Sequence, residues 1–235
     1  MPEENTSPQR VSRREVLKRV GIAGAAAAVP VDALAQAAAP PKRPLENLTE
    51  AEATTLYAIV ARLIPTDANG PGATEAGAIH YIDRALSGAL ASFRDAYRGG
   101  LTAVDAYART SRGAPFAQLS TQNQDAVLTD IERNAASGFT QGSAAFFNIV
   151  LGHTVQGTFC DPFYSGNAHF VGWDLIGYPG VRLAATPNDQ RMGTPPAATH
   201  MSAYDYGMFA KKKPARASQS VPDHPQNHGE PHNGG

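Results

Sequence analysis

Residues 48–65 read LTEAEATTLYAIVARLIP, and this stretch sets the fold class. Thr49, with Glu52 three residues on, forms a capping box in which each side chain satisfies a backbone N–H that the first helical turn leaves unpaired. Leu48, immediately before it, supplies the outer half of a hydrophobic staple. Ala53, Leu56, Tyr57, Val60 and Ile64 then recur at the spacing of one helix face. Pro65 stops the pattern, because its ring crowds the preceding turn and it has no N–H to donate.

The same period returns four times downstream. A second helix is expected from about Thr74 to Leu86, with Ala76, Ile79, Ile82 and Leu86 on one face. A third runs from Leu90 through Phe93, Tyr97, Leu101, Val104 and Tyr107, weakened in its middle by Gly99-Gly100. Leu119-Ser120-Thr121 opens a fourth, ended by Gly138, and Phe146, Phe147, Val150, Thr154 and Val155 mark a more apolar fifth that ends near Cys160. Alternating β-branched runs and Asn-Gly hairpins between them are missing, and no repeat period is visible. The expectation is an all-α fold: a compact bundle of about five helices followed by a long Gly- and aromatic-rich loop.

Four stretches divide the chain. Residues 1–35 carry Ser12-Arg13-Arg14-Glu15-Val16-Leu17-Lys18 ahead of an apolar, Ala-rich run from Val20 to Val31, with Ala33-Leu34-Ala35 behind it. Twin arginines, a short apolar run and a small-residue exit are the order of a twin-arginine signal peptide. The run is shorter than the ~20 apolar residues a bilayer span needs. Ser12, Arg13, Arg14, Leu17 and Lys18 are therefore the expected export signal, with cleavage after Ala35 and the periplasm as destination. That route carries folded proteins, often with a cofactor or a partner. Residues 36–47 read as an Ala/Pro linker, 48–210 as the helical domain, and 211–235 as a tail with almost nothing to bury, expected to be disordered.

Composition narrows the function classes. Without residues 1–35 the chain keeps 15 basic and 17 acidic residues, a net charge of −2, with no basic stripe for nucleic acid. A single cysteine, Cys160, rules out an internal disulfide; in an oxidising compartment it is either buried and inert or paired with another chain. No G-x-S-x-G elbow, G-x-G-x-x-G, P-loop or C-x-x-C occurs, and none of Glu46, Glu50, Glu52, Glu75, Glu132 and Glu230 is followed by His at di-iron spacing. No catalytic, cofactor-binding or metal residue is assigned.

His80, His153, His169 and His200 stand alone in sequence, as packing histidines do, although His153 lies two helical turns before Cys160. His224, His228 and His232 repeat every four residues, but Pro225, Gly229 and Pro231 forbid the helix that would align them. Lys211-Lys212-Lys213 reads as the solvated start of the tail. What remains is the loop 160–180, where Phe163, Tyr164, Phe170, Trp173 and Tyr178 are spaced among glycines. Rigid aromatics with few charges suit a contact surface; the same rings also suit a cap on the chain's own core, and both roles can be filled at once.

Two segments resemble a known family. Residues 62–86 read RLIPTDANGPGATEAGAIHYIDRAL and residues 160–180 read CDPFYSGNAHFVGWDLIGYPG. Together with the twin-arginine leader they resemble gluconate 2-dehydrogenase subunit 3, over about residues 48–180. The family's Asp-Pro-x-Tyr-Gly-Gly-Asn turn stands here as Asp161, Pro162, Tyr164, Ser165, Gly166 and Asn167. Its Gly-Trp…Ile-Gly-Tyr-Pro-Gly run stands as Gly172, Trp173, Ile176, Gly177, Tyr178, Pro179 and Gly180. Ser165 replaces the usual glycine, which bears on the geometry of that turn.

The resemblance implies a subunit without an active site of its own. It implies a partner of the glucose-methanol-choline oxidoreductase type that holds FAD and oxidises a sugar, polyol or sugar acid. A membrane-bound multihaem cytochrome c subunit, with haem c, often joins such complexes and would tie the chain to the membrane. On this reading the chain supports folding, assembly and twin-arginine export of the flavoprotein. Cys160, Asp161, Pro162, Tyr164, Gly166, Asn167, Gly172, Trp173, Gly177 and Tyr178 form the partner interface, and Cys160 is placed for an intersubunit disulfide. The alternative is a stand-alone periplasmic protein that binds a metal or redox cofactor through its histidines and Cys160. A solute-binding or hydrolytic domain ranks behind both, since the sequence announces no convergent polar pocket.

Overall fold

The computed structural model describes residues 45–193 and 195–209. The expected signal, most of the linker and the tail with Lys211-Lys212-Lys213 and its three histidines lie outside the described residues. Among the described residues there are six α-helices and no strand: α1 Glu50–Leu63, α2 Ala78–Ala85, α3 Arg94–Arg112, α4 Thr121–Glu132, α5 Ser143–Phe159 and the short α6 Val171–Leu175. None is long and apolar enough to cross a membrane.

The start of α1 is built as its sequence dictates. Thr49 Oγ1 accepts the Glu52 amide at 3.3 Å and Glu52 Oε2 in turn accepts the Thr49 amide at 2.8 Å, while Leu48 packs on the core. The segment before it is tied down by a buried carboxylate that sequence reading passes over. Asp83 of α2, 3% exposed, accepts the amides of Glu46, Asn47 and Leu48 at 2.7–3.0 Å. A buried carboxylate is tolerable only with such donors.

Leu56 and Val60 of α1, Ile79 and Ile82 of α2, Val104 of α3 and Val150 of α5 meet at the centre, each 0–1% exposed. Burying one such side chain is worth about 1.5–3 kcal/mol, so this cluster holds the helices together. One polar pair enters the core: the Tyr97 hydroxyl lies 3.0 Å from His153 Nδ1, with the two rings stacked. Burial pushes the Tyr97 hydroxyl up and the His153 imidazole down in pKa, so both stay neutral at pH 7.

Three boundaries differ from those expected. Helix α2 begins at Ala78 instead of Thr74, because Gly77 takes a left-handed φ of 72° that ends the preceding turns. Helix α4 stops at Glu132 instead of near Gly138, where Arg133 leaves helical geometry and Asn134 follows with φ 59°. The third helix starts as a 3₁₀ turn, Ala91–Phe93, before α3 proper.

Gly99-Gly100 does not break α3, and the two glycines do different things. A Cβ on Gly100 would sit 2.2 Å from the Phe146 ring of α5, whereas one on Gly99 would meet nothing. Gly100 is thus the notch that admits Phe146. Gly99→Ala is expected to stabilise the protein by about 0.5–1 kcal/mol through helix propensity. Gly100→Ala is expected to destabilise it by about 1–3 kcal/mol through overpacking. Urea denaturation followed by circular dichroism checks the opposite signs.

Candidate functional site

The two segments that carry the family resemblance are far apart in sequence and adjacent in space. After α1, residues 64–77 loop back beneath α2. Glu75 closes this loop, its Oε2 accepting from the Thr66 and Thr74 hydroxyls at 2.5 and 2.6 Å and from the Gly72 amide at 3.1 Å. Burial pushes the Glu75 carboxyl up, but those hydrogen bonds outweigh it and leave its pKa below the ordinary value. The loop meets the second segment where Ala76 O accepts the Ala168 amide at 2.9 Å and Arg84 donates to Phe163 O and Ser165 Oγ at 3.3 and 2.8 Å. Gly157 of α5 presses on Ala78, whose Cα would stand 2.9 Å from an added Cβ.

Within the second segment Asn167 is the hub. It is fully buried and left-handed, with φ 44°, a conformation that asparagine reaches more readily than most residues. Its Nδ2 donates to Cys160 O at 2.9 Å, and its Oδ1 accepts the amides of Gly172 and Trp173 at 2.8 and 3.3 Å. One side chain therefore joins the end of α5 to the start of α6. Gly172 is required there, since a Cβ would fall 1.9 Å from Thr158 O. A Cβ on Gly166 would likewise fall 2.1 Å from Gly157 O.

Trp173 turns inward: it is 4% exposed and donates its Nε1 to Phe159 O at 3.0 Å. Phe170 and Tyr178 pack against its ring. Asp161 caps the 3₁₀ turn Pro162–Tyr164 through the Phe163 amide. Ser165, in place of the family's glycine, keeps the left-handed turn with φ 76°, and its hydroxyl receives the bond from Arg84. His169 and Phe170 are also left-handed, with φ 56° and 62°. Such backbone costs about 1–3 kcal/mol per residue and persists only where surroundings enforce it.

Burial divides the expected interface residues. Gly166, Asn167, Gly172 and Trp173 are buried inside the chain, Cys160, Asp161 and Pro162 are half-buried, and Tyr164, Gly177 and Tyr178 are exposed. Some aromatic rings thus serve the chain's own core while others face outward. Cys160 caps α5, and burial pushes its thiol up to about 11; at neutral pH it is a protonated thiol and a poor nucleophile. His153 is a packing residue bonded to Tyr97. Among the described residues no three His, Cys, Asp or Glu side chains converge as a metal site.

The feature that sequence reading missed is the stretch 197–209, which folds onto this loop. Tyr204 stacks on Phe163, His200 stacks on Phe170, and Ser202 and Ala203 bond to Asp161. Only the capping pattern of Ser202 with Asp205, a box around the 3₁₀ turn Ala203–Asp205, signals structure there.

Among known families, Gluconate 2-dehydrogenase subunit 3 matches residues 50–180. No curated protein matches the chain, and no solved structure does. The chain belongs to the gluconate 2-dehydrogenase subunit 3 family, and so to the small subunits of dehydrogenase complexes that work beside a catalytic subunit.

The lowered pKa of Glu75 has a pH signature. A carboxylate depressed in the folded state contributes stability above its unfolded pKa and loses it as pH falls through the folded one. Wild-type protein is therefore expected to melt above Glu75→Gln at pH 7, with the gap closing as pH drops below the ordinary carboxylate range. Paired thermal melts from pH 7 to pH 3 check this.

Proposed function

We propose that this chain, as a member of that family, is the non-catalytic small subunit of a periplasmic FAD-dependent dehydrogenase complex of the glucose-methanol-choline type. In this role it supports folding and assembly of the catalytic flavoprotein and carries it through the twin-arginine translocon. A membrane-bound cytochrome c subunit with haem c would complete the complex and hold it at the membrane.

One observation carries the reading beyond family membership. The exposed large apolar side chains among the described residues all lie from α5 onward, and residues 45–154 expose none to that degree. Tyr164, Ile176, Tyr178, Leu183, Met208 and Phe209 show 39–73% of their surface. Apolar exposure concentrated in the stretch of chain that holds the family's motif loop is what a partner-binding surface draws on. The arrangement suits contact better than chemistry: the side chains of Asn167 and Asp161, two polar groups of the loop, are consumed by intrachain hydrogen bonds.

Thiol–disulfide exchange needs the thiolate, which burial of Cys160 disfavours, and this weighs against an intersubunit disulfide from Cys160. A non-covalent interface is the favoured form.

The test is an affinity tag at the C-terminus of the chain, with the periplasmic and cytoplasmic fractions analysed separately. The tagged chain is expected to bring down a larger flavin-containing protein from the periplasm, separable on a non-reducing gel. With Arg13→Lys and Arg14→Lys together, both proteins are expected in the cytoplasm. Isolation of the tagged chain without any flavoprotein would refute the reading, and normal export of the flavoprotein in the double variant would refute shared export.

A further inference from the structure

Residues 181–209 lie beyond the family match, yet part of this stretch returns to the loop that carries the family's motif. Pro179 O accepts the Thr199 amide at 2.7 Å and the Thr199 hydroxyl at 2.9 Å, and Val181 donates to Met201 O at 2.8 Å. The two carboxylate oxygens of Asp161 take the Ser202 hydroxyl and the Ala203 amide at 2.7 and 2.9 Å. Above these bonds lie two ring stacks: Tyr204 on Phe163 with centroids 3.9 Å apart, and His200 on Phe170 at 4.9 Å. His200 Nε2 also stands 2.7 Å from Asp174 Oδ1 of α6.

The backbone beneath this cover is unusual. Ser165, Asn167, His169 and Phe170 all have positive φ. Asn167 is fixed by its own side chain, and Ser165 is held from α2 by Arg84. For Phe170 the flanking rings supply the constraint, Trp173 from the core side and His200 from the returning segment. Two adjacent non-glycine residues in the left-handed region relax unless packing over-determines them.

We propose that residues 199–206 are a strap that sets the shape of the docking loop: stacked on Phe163 and Phe170 and tied to Asp161, they hold His169 and Phe170 left-handed, so that recognition of the catalytic subunit depends on a segment outside the family match. The conformational half stands on this chain alone; the recognition half rests on the function proposed above. The surface offered to the partner is then built from two segments, with Tyr164 from the loop and Tyr204 from the strap joined through their hydroxyls.

Trp173 is the chain's single tryptophan and packs on Phe170 with ring centroids 5.3 Å apart, so its emission reports the loop. In the full chain, His200→Ala with Tyr204→Ala is expected to shift Trp173 emission to longer wavelength and raise its quenching by acrylamide, with helical circular dichroism unchanged. His200→Phe, which keeps a ring on Phe170 and loses the bond to Asp174, is expected to retain wild-type emission. Unchanged emission and quenching in the double variant, or an equal shift in His200→Phe, would overturn the strap. Should the double variant lose its helical signal, hydrogen exchange of the wild-type protein decides: amides of 168–171 as protected as those of α6 support the strap, and free exchange there overturns it.

Capture of the catalytic subunit is scored separately. The double variant is expected to capture at least about fivefold less than wild type, the loss typical of removing one contributing interface residue. If wild type captures no flavoprotein, the proposed function fails and the fluorescence result stands. If wild type and variant capture equally, only the link from strap to docking fails.

Discussion

Everything after α5 hangs from the carboxamide of Asn167. Its donor side holds Cys160 O and its acceptor side holds the amides of Gly172 and Trp173. This is what lets a chain leave a helix, turn through strained residues and re-enter a helix after eleven residues, Cys160 to Phe170. A buried amide hub of this kind works only when every partner is in place. The glycines at 166 and 172 supply the room, since any side chain there would strike backbone carbonyls of α5. Trp173 then drops into the core, and the remaining rings face outward or accept the strap.

That anchoring explains how a loop can be both the most irregular part of the molecule and a firm surface. Asn167, Asp161 and Ser165 are spent on internal bonds, the backbone is fixed by α2 and α5 on one side and by the strap on the other, and Tyr164, Ile176 and Tyr178 are left exposed. A preorganised apolar surface loses little conformational entropy on association. Two of its reactive groups are committed in the same way: the Cys160 thiol is held protonated and the Asp161 carboxylate is occupied by the strap.

Much of the fold was legible in the sequence. The capping box at Thr49 and the periodic faces of α1, α3 and α5 are local signals, and local signals survive folding. Boundaries shifted where a backbone conformation overrode side-chain period, as at Gly77 and Asn134. Gly100 reads as a weakness in α3 until Phe146 is seen to fill it, because a notch is defined only by the residue from another helix that enters it. Asp83 and the hub role of Asn167 were hidden for a related reason: their partners are backbone amides and carbonyls, which leave no trace in residue type. The motif 160–180 was visible as a contact-like composition, but which rings point in and which out depends on the hub and the strap. The strap itself lies in a Pro- and Ala-rich stretch with little periodicity, so only tertiary contact reveals it.

Hydrogen exchange resolved by residue tests the central claim, that the Asn167 hub makes the loop 160–180 a fixed part of the fold. The amides of Gly172 and Trp173 should exchange as slowly as those in α5. In Asn167→Ala they should exchange at loop rates while α1 and α3 stay protected. Fast exchange of Gly172 and Trp173 in the wild-type protein, beside a protected α5, would contradict the account.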